Sequence, residues 1–227
     1  IAQRLGPELL FKSFKNFGLT DKNIKTNFPG SASGYMSDWQ QWREIRFANI
    51  AFGQGVMMTG LQLVQAMGAI VNGGQLMKPL LIEKVLDPHK NRVFTGEPYI
   101  LKNVLQPEIA EHIRQMLVKV VSEPSSNARP ASYTAGGKTG TAQKAIPGVR
   151  GYPKDKRIAS FLGFAPAQDP HLVVYVMIDE PQNTPYYGNL WAAPVFAQIT
   201  EGALQYLNVT KNQDLAHSQD RAQQTEL

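Results

Sequence analysis

The sequence predicts an α+β fold, an antiparallel sheet flanked by helices. Three segments, 135–144, 158–166 and 172–178, are extended or rich in β-forming residues. The turn Ala167-Gln168-Asp169-Pro170 separates the last two, so the three read as an antiparallel meander. Around them lie stretches whose apolar residues recur at helical spacing, opened by proline or a capping box.

Residues 1–17 carry Ile1, Leu5, Leu10, Phe14 and Phe17 at helical spacing. Pro7 sits where a second helical segment can start, and Gly18 follows as a stop. Residues 19–49 show little periodicity and include Pro29-Gly30-Ser31, so a loop is expected there. Thr59 and Gln62 form a capping box for a helix with Leu63, Met67, Ile70 and Val71 on one face, closed by Asn72-Gly73-Gly74. Residues 80–86, the run Asp87-Pro88-His89-Lys90-Asn91 and residues 92–94 read as strand, turn and strand. Pro107 opens a helix whose apolar face is Ile109, Ile113, Leu117 and Val120. A last helix is expected from near Pro194, with Val195, Ile199, Ala203 and Tyr206 inward. The tail from Lys211 to Leu227 is polar and is expected to be disordered.

Composition narrows the function classes. With 227 residues, 43% hydrophobic and 18% charged, the chain is globular and can hold a sizeable core. The absence of cysteine excludes a disulfide, a thiolate metal site and a cysteine nucleophile. The net charge of +5 comes without a basic stripe or interleaved aromatics, so nucleic acid is not indicated. Most of the excess sits in one place, at Lys144, Arg150, Lys154, Lys156 and Arg157. The apolar runs fall short of a membrane span. No signal peptide is present and the chain opens on Ile1, so it is expected to be a piece of a longer protein.

The run Ala135-Gly136-Gly137-Lys138-Thr139-Gly140-Thr141-Ala142-Gln143-Lys144 admits two chemistries. As a phosphate-binding loop it fails twice. Ser132 stands where the loop needs its first glycine, and Gly140 with Pro147-Gly148 prevents the helix whose N-terminus would hold the phosphate. As a strand it works, because Lys138, Gly140 and Ala142 alternate with Thr139, Thr141 and Gln143.

On these residues the chain resembles the C-terminal part of the transpeptidase domain of class B penicillin-binding proteins. The resemblance rests on AGGKTGTAQK followed by RIASFLGFAPA, on Ile50-Ala51-Phe52-Gly53-Gln54-Gly55 with Thr59 and its helix, and on Tyr187-Gly188 with Ala192-Ala193-Pro194-Val195-Phe196. It covers residues 1–207, leaving 208–227 as a polar tail. It implies a partial serine D,D-peptidase/β-lactamase-like fold and a peptidoglycan D,D-transpeptidase that works by serine acyl transfer through a covalent acyl-enzyme. Its partners would be a D-Ala-D-Ala stem peptide, β-lactams that mimic it, and divisome or elongasome proteins acting in septation or elongation. It implies no cofactor, no metal and no nucleic acid. The protein would face the periplasm, held to the membrane only through an N-terminal anchor outside this chain.

By the same resemblance, Lys138 sets the electrostatics around the serine. Thr139 and Thr141 offer hydroxyls to the substrate carboxylate, and the Thr141 N–H is an oxyanion donor worth about 3 kcal/mol. Gly140 gives the ligand room to pair as an added strand, which Gln143 extends. No serine here has a lysine three residues on, so the nucleophile motif S-x-x-K is absent. Ser125-Ser126-Asn127 matches S-x-N, but the family places that motif well upstream, before the first helix of this chain. The fragment is therefore expected to be inactive alone. The alternative is a non-catalytic penicillin-binding-like sensor or scaffold.

Two departures from the family pattern stand out. Gly136-Gly137 replaces the commoner Ala-Gly, which is expected to loosen the strand start, and Gly60 replaces a proline. The basic residues from 144 to 157 could steer anionic precursors, although a solvated hairpin tip is the plainer reading. Tyr186, Tyr187 and Trp191 could line the cleft or cap the core. His89, His112, His171 and His217 lack ligand spacing. Gly53-Gln54-Gly55 reads as a structural turn.

Overall fold

A computed structural model describes residues 1–19, 32–145, 148, 151–153, 156–182 and 185–211. The basic residues Arg150 and Lys154, the run Pro29-Gly30-Ser31 and the tail beyond Lys211 lie outside them. The chain forms two compact units, Ile1–Glu111 and His112–Leu227.

In the first unit, α1 (Ala2–Asn16) breaks at Gly6, whose φ of 77° precedes Pro7, so the second helical segment starts where proline suggests. Residues 32–49 are not loop throughout, because a 3₁₀ turn (Trp39–Gln41) and α2 (Glu44–Ala51) form there. Their cause is tertiary. Trp42 is buried, donates its indole N–H to the Ser37 carbonyl at 3.1 Å, meets Phe11 edge-on at 5.8 Å and stacks on Phe47 at 6.4 Å. Ile50 completes this cluster with no exposed surface. Such an anchor decides over eight residues whose own periodicity is diluted by Glu44, Arg46 and Asn49.

The capping box of α3 (Gly60–Val71) forms as expected. The Gln62 amide donates to Thr59 Oγ1 at 3.2 Å, and the Thr59 amide donates to Gln62 Oε1 at 2.9 Å. Gly73 and Gly74, with φ of 82° and 97°, end the helix. Strands β1 (Gln75–Met77) and β4 (Ile100–Asn103) pair antiparallel, as do β2 (Lys84–Leu86) and β3 (Arg92–Thr95). The β2–β3 turn is held by Asp87, which accepts from the Asn91 amide at 2.8 Å and from its side chain at 2.9 Å.

α4 (Pro107–Ser122) begins at its expected proline, but its buried residues are Ala110 and Val121, while Ile109 and Val120 are exposed. Ile113 and Leu117 are half-buried, so the inward face keeps two of the expected residues and is turned toward Ala110 and Val121. In the second unit α5 (Gly188–Tyr206) starts six residues before Pro194, which lies inside the helix. Its buried face is Ala192, Ala193, Phe196, Thr200 and Leu204, whereas Val195, Ile199 and Tyr206 are exposed. Small residues let the helix approach a sheet closely, and that outweighs the apolar count of the neighbouring face.

β5 (Gly136–Gln143), β6 (Arg157–Ala165) and β7 (Leu172–Asp179) form the expected antiparallel meander with β6 central. The core between this sheet and α5 centres on Phe161 and Phe196, whose rings lie 4.6 Å apart. Register fixes which backbone groups are satisfied. The Glu180 amide donates to the Arg157 carbonyl, so the amides of Val174, Val176 and Ile178 point to β6 and those of Val173, Tyr175 and Met177 point away. Among the described residues nothing pairs with that outer side of β7. Hydrogen–deuterium exchange of the 227-residue chain is accordingly expected to alternate along β7, fast at Val173, Tyr175 and Met177 and slow between them. Uniform protection equal to that of β6 would contradict an open edge.

Candidate functional site

The segment entering β5 is fastened before the strand begins. The Ser132 amide donates to Glu201 Oε2 at 2.9 Å, and the Tyr133 hydroxyl donates to the Val209 carbonyl at 2.9 Å, both toward α5 and its end. Gly136 and Gly137 then lie against aromatic rings. A Cβ on Gly136 would come within 2.3 Å of Phe164, and one on Gly137 within 2.6 Å of Phe161. The double glycine therefore makes the strand start tight, not loose as expected, because both faces are already filled.

Along β5, Lys138, Gly140 and Ala142 share a face with Ser160 and Leu162, while Thr139, Thr141 and Gln143 share the face of Phe161, toward α5. Gly140 is enclosed on both sides. A Cβ there would meet Ser160 Oγ at 2.5 Å, and Gly188 packs on the opposite face, where its own Cβ would stand 2.6 Å from the Gly140 carbonyl oxygen. Lys138 is exposed, and its ammonium donates to Thr139 Oγ1 at 3.1 Å and to the Thr139 carbonyl at 3.2 Å. Thr141 Oγ1 accepts from the Gly188 amide at 3.2 Å. Behind the strand the Tyr175 phenol is pushed above its usual pKa mainly by burial, with Ser160 acting the other way.

The strand also has a free edge. The Lys144 amide donates to the Lys156 carbonyl, and in this register the even residues of β5 bond β6. The amides and carbonyls of Thr139, Thr141 and Gln143 consequently face away from β6, where among the described residues no strand pairs. An extended peptide can add there as a further strand, with alternate amides as donors. Lys138, Thr139, Gly140, Thr141 and Gln143 thus fall on one strand, with the odd positions presenting their backbone.

The base of the hairpin is closed by charge. Lys144 bonds Asp179 at 2.6 Å and Glu180 at 2.9 Å, and Lys156 bonds Glu180 at 2.5 Å. Glu180 adopts φ of 52°, and its carboxyl is lowered to about 2 by Lys156 first and then Lys144. Its two carboxylate partners correspondingly hold Lys144 above the ordinary lysine range, Asp179 first and then Glu180. A depressed carboxyl contributes stability above its unfolded value of 4.5, and the contribution is lost as pH falls toward 2. Thermal melts of wild type and Glu180→Gln are therefore expected to differ at about pH 6 and to converge as pH falls through that window. A gap that is constant with pH would contradict the ion pairs as the cause.

Other candidates take structural places. In Ser125-Ser126-Asn127, the Asn127 amide donates to Asn189 Oδ1 at 3.0 Å and the Asn127 side chain donates to the Asn189 carbonyl at 3.0 Å. Trp191 donates its indole N–H to the Pro185 carbonyl at 3.1 Å, and Tyr187 is exposed at the start of α5. Among the described residues no His, Asp or Glu group could hold a metal ion. Gly53 and Gly55 have φ of 91° and 77°, as a turn after α2 requires. Ser160 and Gly188 join the site although the sequence marks them only as members of RIASFLGFAPA and of the Tyr187-Gly188 pair.

Comparison with known families decides what this strand belongs to. The family described as penicillin binding protein transpeptidase domain matches residues 1–201. The chain belongs to that family. Its transpeptidase relatives are class B penicillin-binding proteins. Stage V sporulation protein D of Bacillus subtilis is 41% identical over 94% of this chain and 33% of its own length. The probable peptidoglycan D,D-transpeptidase PenA of Neisseria gonorrhoeae is 32% identical over 95% and 35%. Among solved structures, penicillin-binding protein 3 of Mycobacterium tuberculosis superposes with a TM-score of 0.81 at 33% identity, over 92% of this chain and 49% of that one. The transpeptidase domain of Burkholderia pseudomallei penicillin-binding protein 3 gives 0.77 at 35%, over 93% and 61%. The chain spans about a third of the length of these curated relatives. The α+β reading, an antiparallel sheet with helices, is thus the fold of penicillin-binding transpeptidase domains.

Proposed function

We propose that this chain is the substrate-receiving part of a peptidoglycan D,D-transpeptidase, with residues 1–207 forming the C-terminal portion of the transpeptidase domain. The free edge of β5, with the backbone of Thr139 and Thr141 turned outward beside Lys138, carries the proposal. A D-Ala-D-Ala stem peptide adds along that edge. Its carboxylate takes the Thr139 and Thr141 hydroxyls, its reacting carbonyl oxygen takes the Thr141 amide, and Gln143 extends the pairing. Lys138 supplies positive charge at the end where the serine acts. That serine, its lysine and the S-x-N partner come from sequence outside these 227 residues, so the chain alone does not acylate. Two solved complexes of the Mycobacterium tuberculosis relative, with aztreonam and with ampicillin, support β-lactams as ligands. The parent works outside the cytoplasm, anchored in the membrane, with divisome or elongasome partners.

A fluorescent penicillin is expected to label covalently a chain extended upstream through an S-x-x-K serine, and to leave the 227-residue chain unlabelled. Labelling of the short chain would overturn the placement of the nucleophile. Failure to label the extended chain would favour a sensor or scaffold. In the extended chain, Thr139→Val is expected to slow labelling about tenfold, the loss of one hydrogen bond to a carboxylate. An unchanged rate would remove Thr139 from carboxylate binding.

A further inference from the structure

The loop before β5 and the first turn of α5 are joined by three hydrogen bonds between two asparagines and one carbonyl. The Asn127 amide donates to Asn189 Oδ1, the Asn127 side chain donates to the Asn189 carbonyl, and the Asn189 side chain donates to the Ser125 carbonyl at 2.9 Å. Asn189 immediately follows Gly188, whose amide donates to Thr141 Oγ1. A hydroxyl has one proton and two lone pairs. With a lone pair engaged by Gly188, the Thr141 proton is directed elsewhere, and the exposed Thr141 side chain leaves it available to a ligand. The position of Gly188 has little slack, since it rests on the backbone of Gly140 and Ser160. The asparagine pair ties the neighbouring residue of that turn to the loop before β5.

We propose that Asn127 and Asn189 are positioning residues for Thr141, fixing the first turn of α5 so that the Thr141 hydroxyl acts as a donor to the substrate carboxylate. The serine-asparagine string that imitates a catalytic motif thus serves the site indirectly. The carboxylate role rests on the function proposed for the β5 edge, whereas the orientation of Thr141 does not.

Two measurements separate them. In the 227-residue chain, Asn189→Ala and Asn127→Ala are expected to speed exchange of the Gly188 amide about tenfold, with the Phe161 and Val176 amides still slow. Asn189→Asp keeps the acceptor for Asn127 and is expected to fall between. If Asn189→Ala does not fold, exchange in Asn127→Ala decides the matter. Unchanged Gly188 exchange in a folded variant overturns the positioning. In the extended chain, acylation by a penicillin and by its methyl ester is compared. Asn189→Ala is expected to slow the carboxylate form about fivefold and to leave the ester unaffected, the loss of one hydrogen bond. Equal slowing of both would assign the asparagines to general stability and overturn the carboxylate link. If wild type acylates with neither, the transpeptidase reading falls, while the exchange measurement still decides the orientation of Thr141.

Discussion

Phe196→Ala is expected to lower the stability of the chain by about 3–5 kcal/mol, the usual cost of removing a fully buried phenylalanine. Phe196 has no exposed surface, and its ring meets that of Phe161 at 4.6 Å. The cavity left behind cannot close easily. Gly163 of β6 lies beneath both rings, where an added Cβ would stand 2.7 Å from each, so the sheet has no side chain there to relax into the gap. A domain stability of about 5–15 kcal/mol leaves little after such a loss. Urea unfolding of wild type and variant measures it. Leu207→Ala, at a half-exposed position past the end of α5, serves as a comparison and is expected to cost far less. Equal losses from the two would show that the packing of α5 on the sheet is not where the stability resides.

What the sequence could and could not tell separates by the range of the interaction. The capping box at Thr59, the Asp87 turn and the meander around Lys138 were legible, because each is decided within a few residues. The element α2 was not, because Trp42 and Phe11 decide it from outside its own span. Both long helices are legible in the sequence, yet their inward faces are turned from the apolar count, partly in α4 and by one residue in α5. Counting apolar residues selects Val195 and Ile199, whereas the sheet accepts Ala192, Ala193 and Phe196. The same cause moves the start of α5, since Pro194 looks like a first position and instead lies within the helix. At the site, strand β5 and its alternation were legible in Lys138-Thr139-Gly140. Its enclosure by Ser160 and Gly188 was not, because close approach between distant segments leaves no periodic trace. The looseness expected of Gly136-Gly137 fails for that reason too, as Phe161 and Phe164 already occupy the space.

Gly188→Ala tests that enclosure with a single methyl group. Gly188 is not among the glycines with positive φ, so alanine is acceptable to the backbone and only space opposes it. The added Cβ would lie 2.3 Å from the Ser160 carbonyl oxygen and 2.6 Å from that of Gly140. Both atoms belong to the β5–β6 ladder, so no side chain can swing aside and either the helix or the strand must move. Overpacking of this kind costs about 1–3 kcal/mol, and a clash with backbone belongs at the upper end. Gly202, farther along the same helix, provides the control, since a Cβ there meets nothing within 4 Å. Gly202→Ala is expected to stabilise by about 0.5–1 kcal/mol through helix propensity alone. Urea midpoints should therefore move in opposite directions for the two substitutions. Lifting the first turn of α5 also withdraws the Gly188 amide from Thr141, so in the extended chain penicillin acylation should fall with Gly188→Ala and hold with Gly202→Ala. If both variants are more stable than wild type, the close seat of α5 on Gly140 is wrong, and the orientation of Thr141 loses its structural basis.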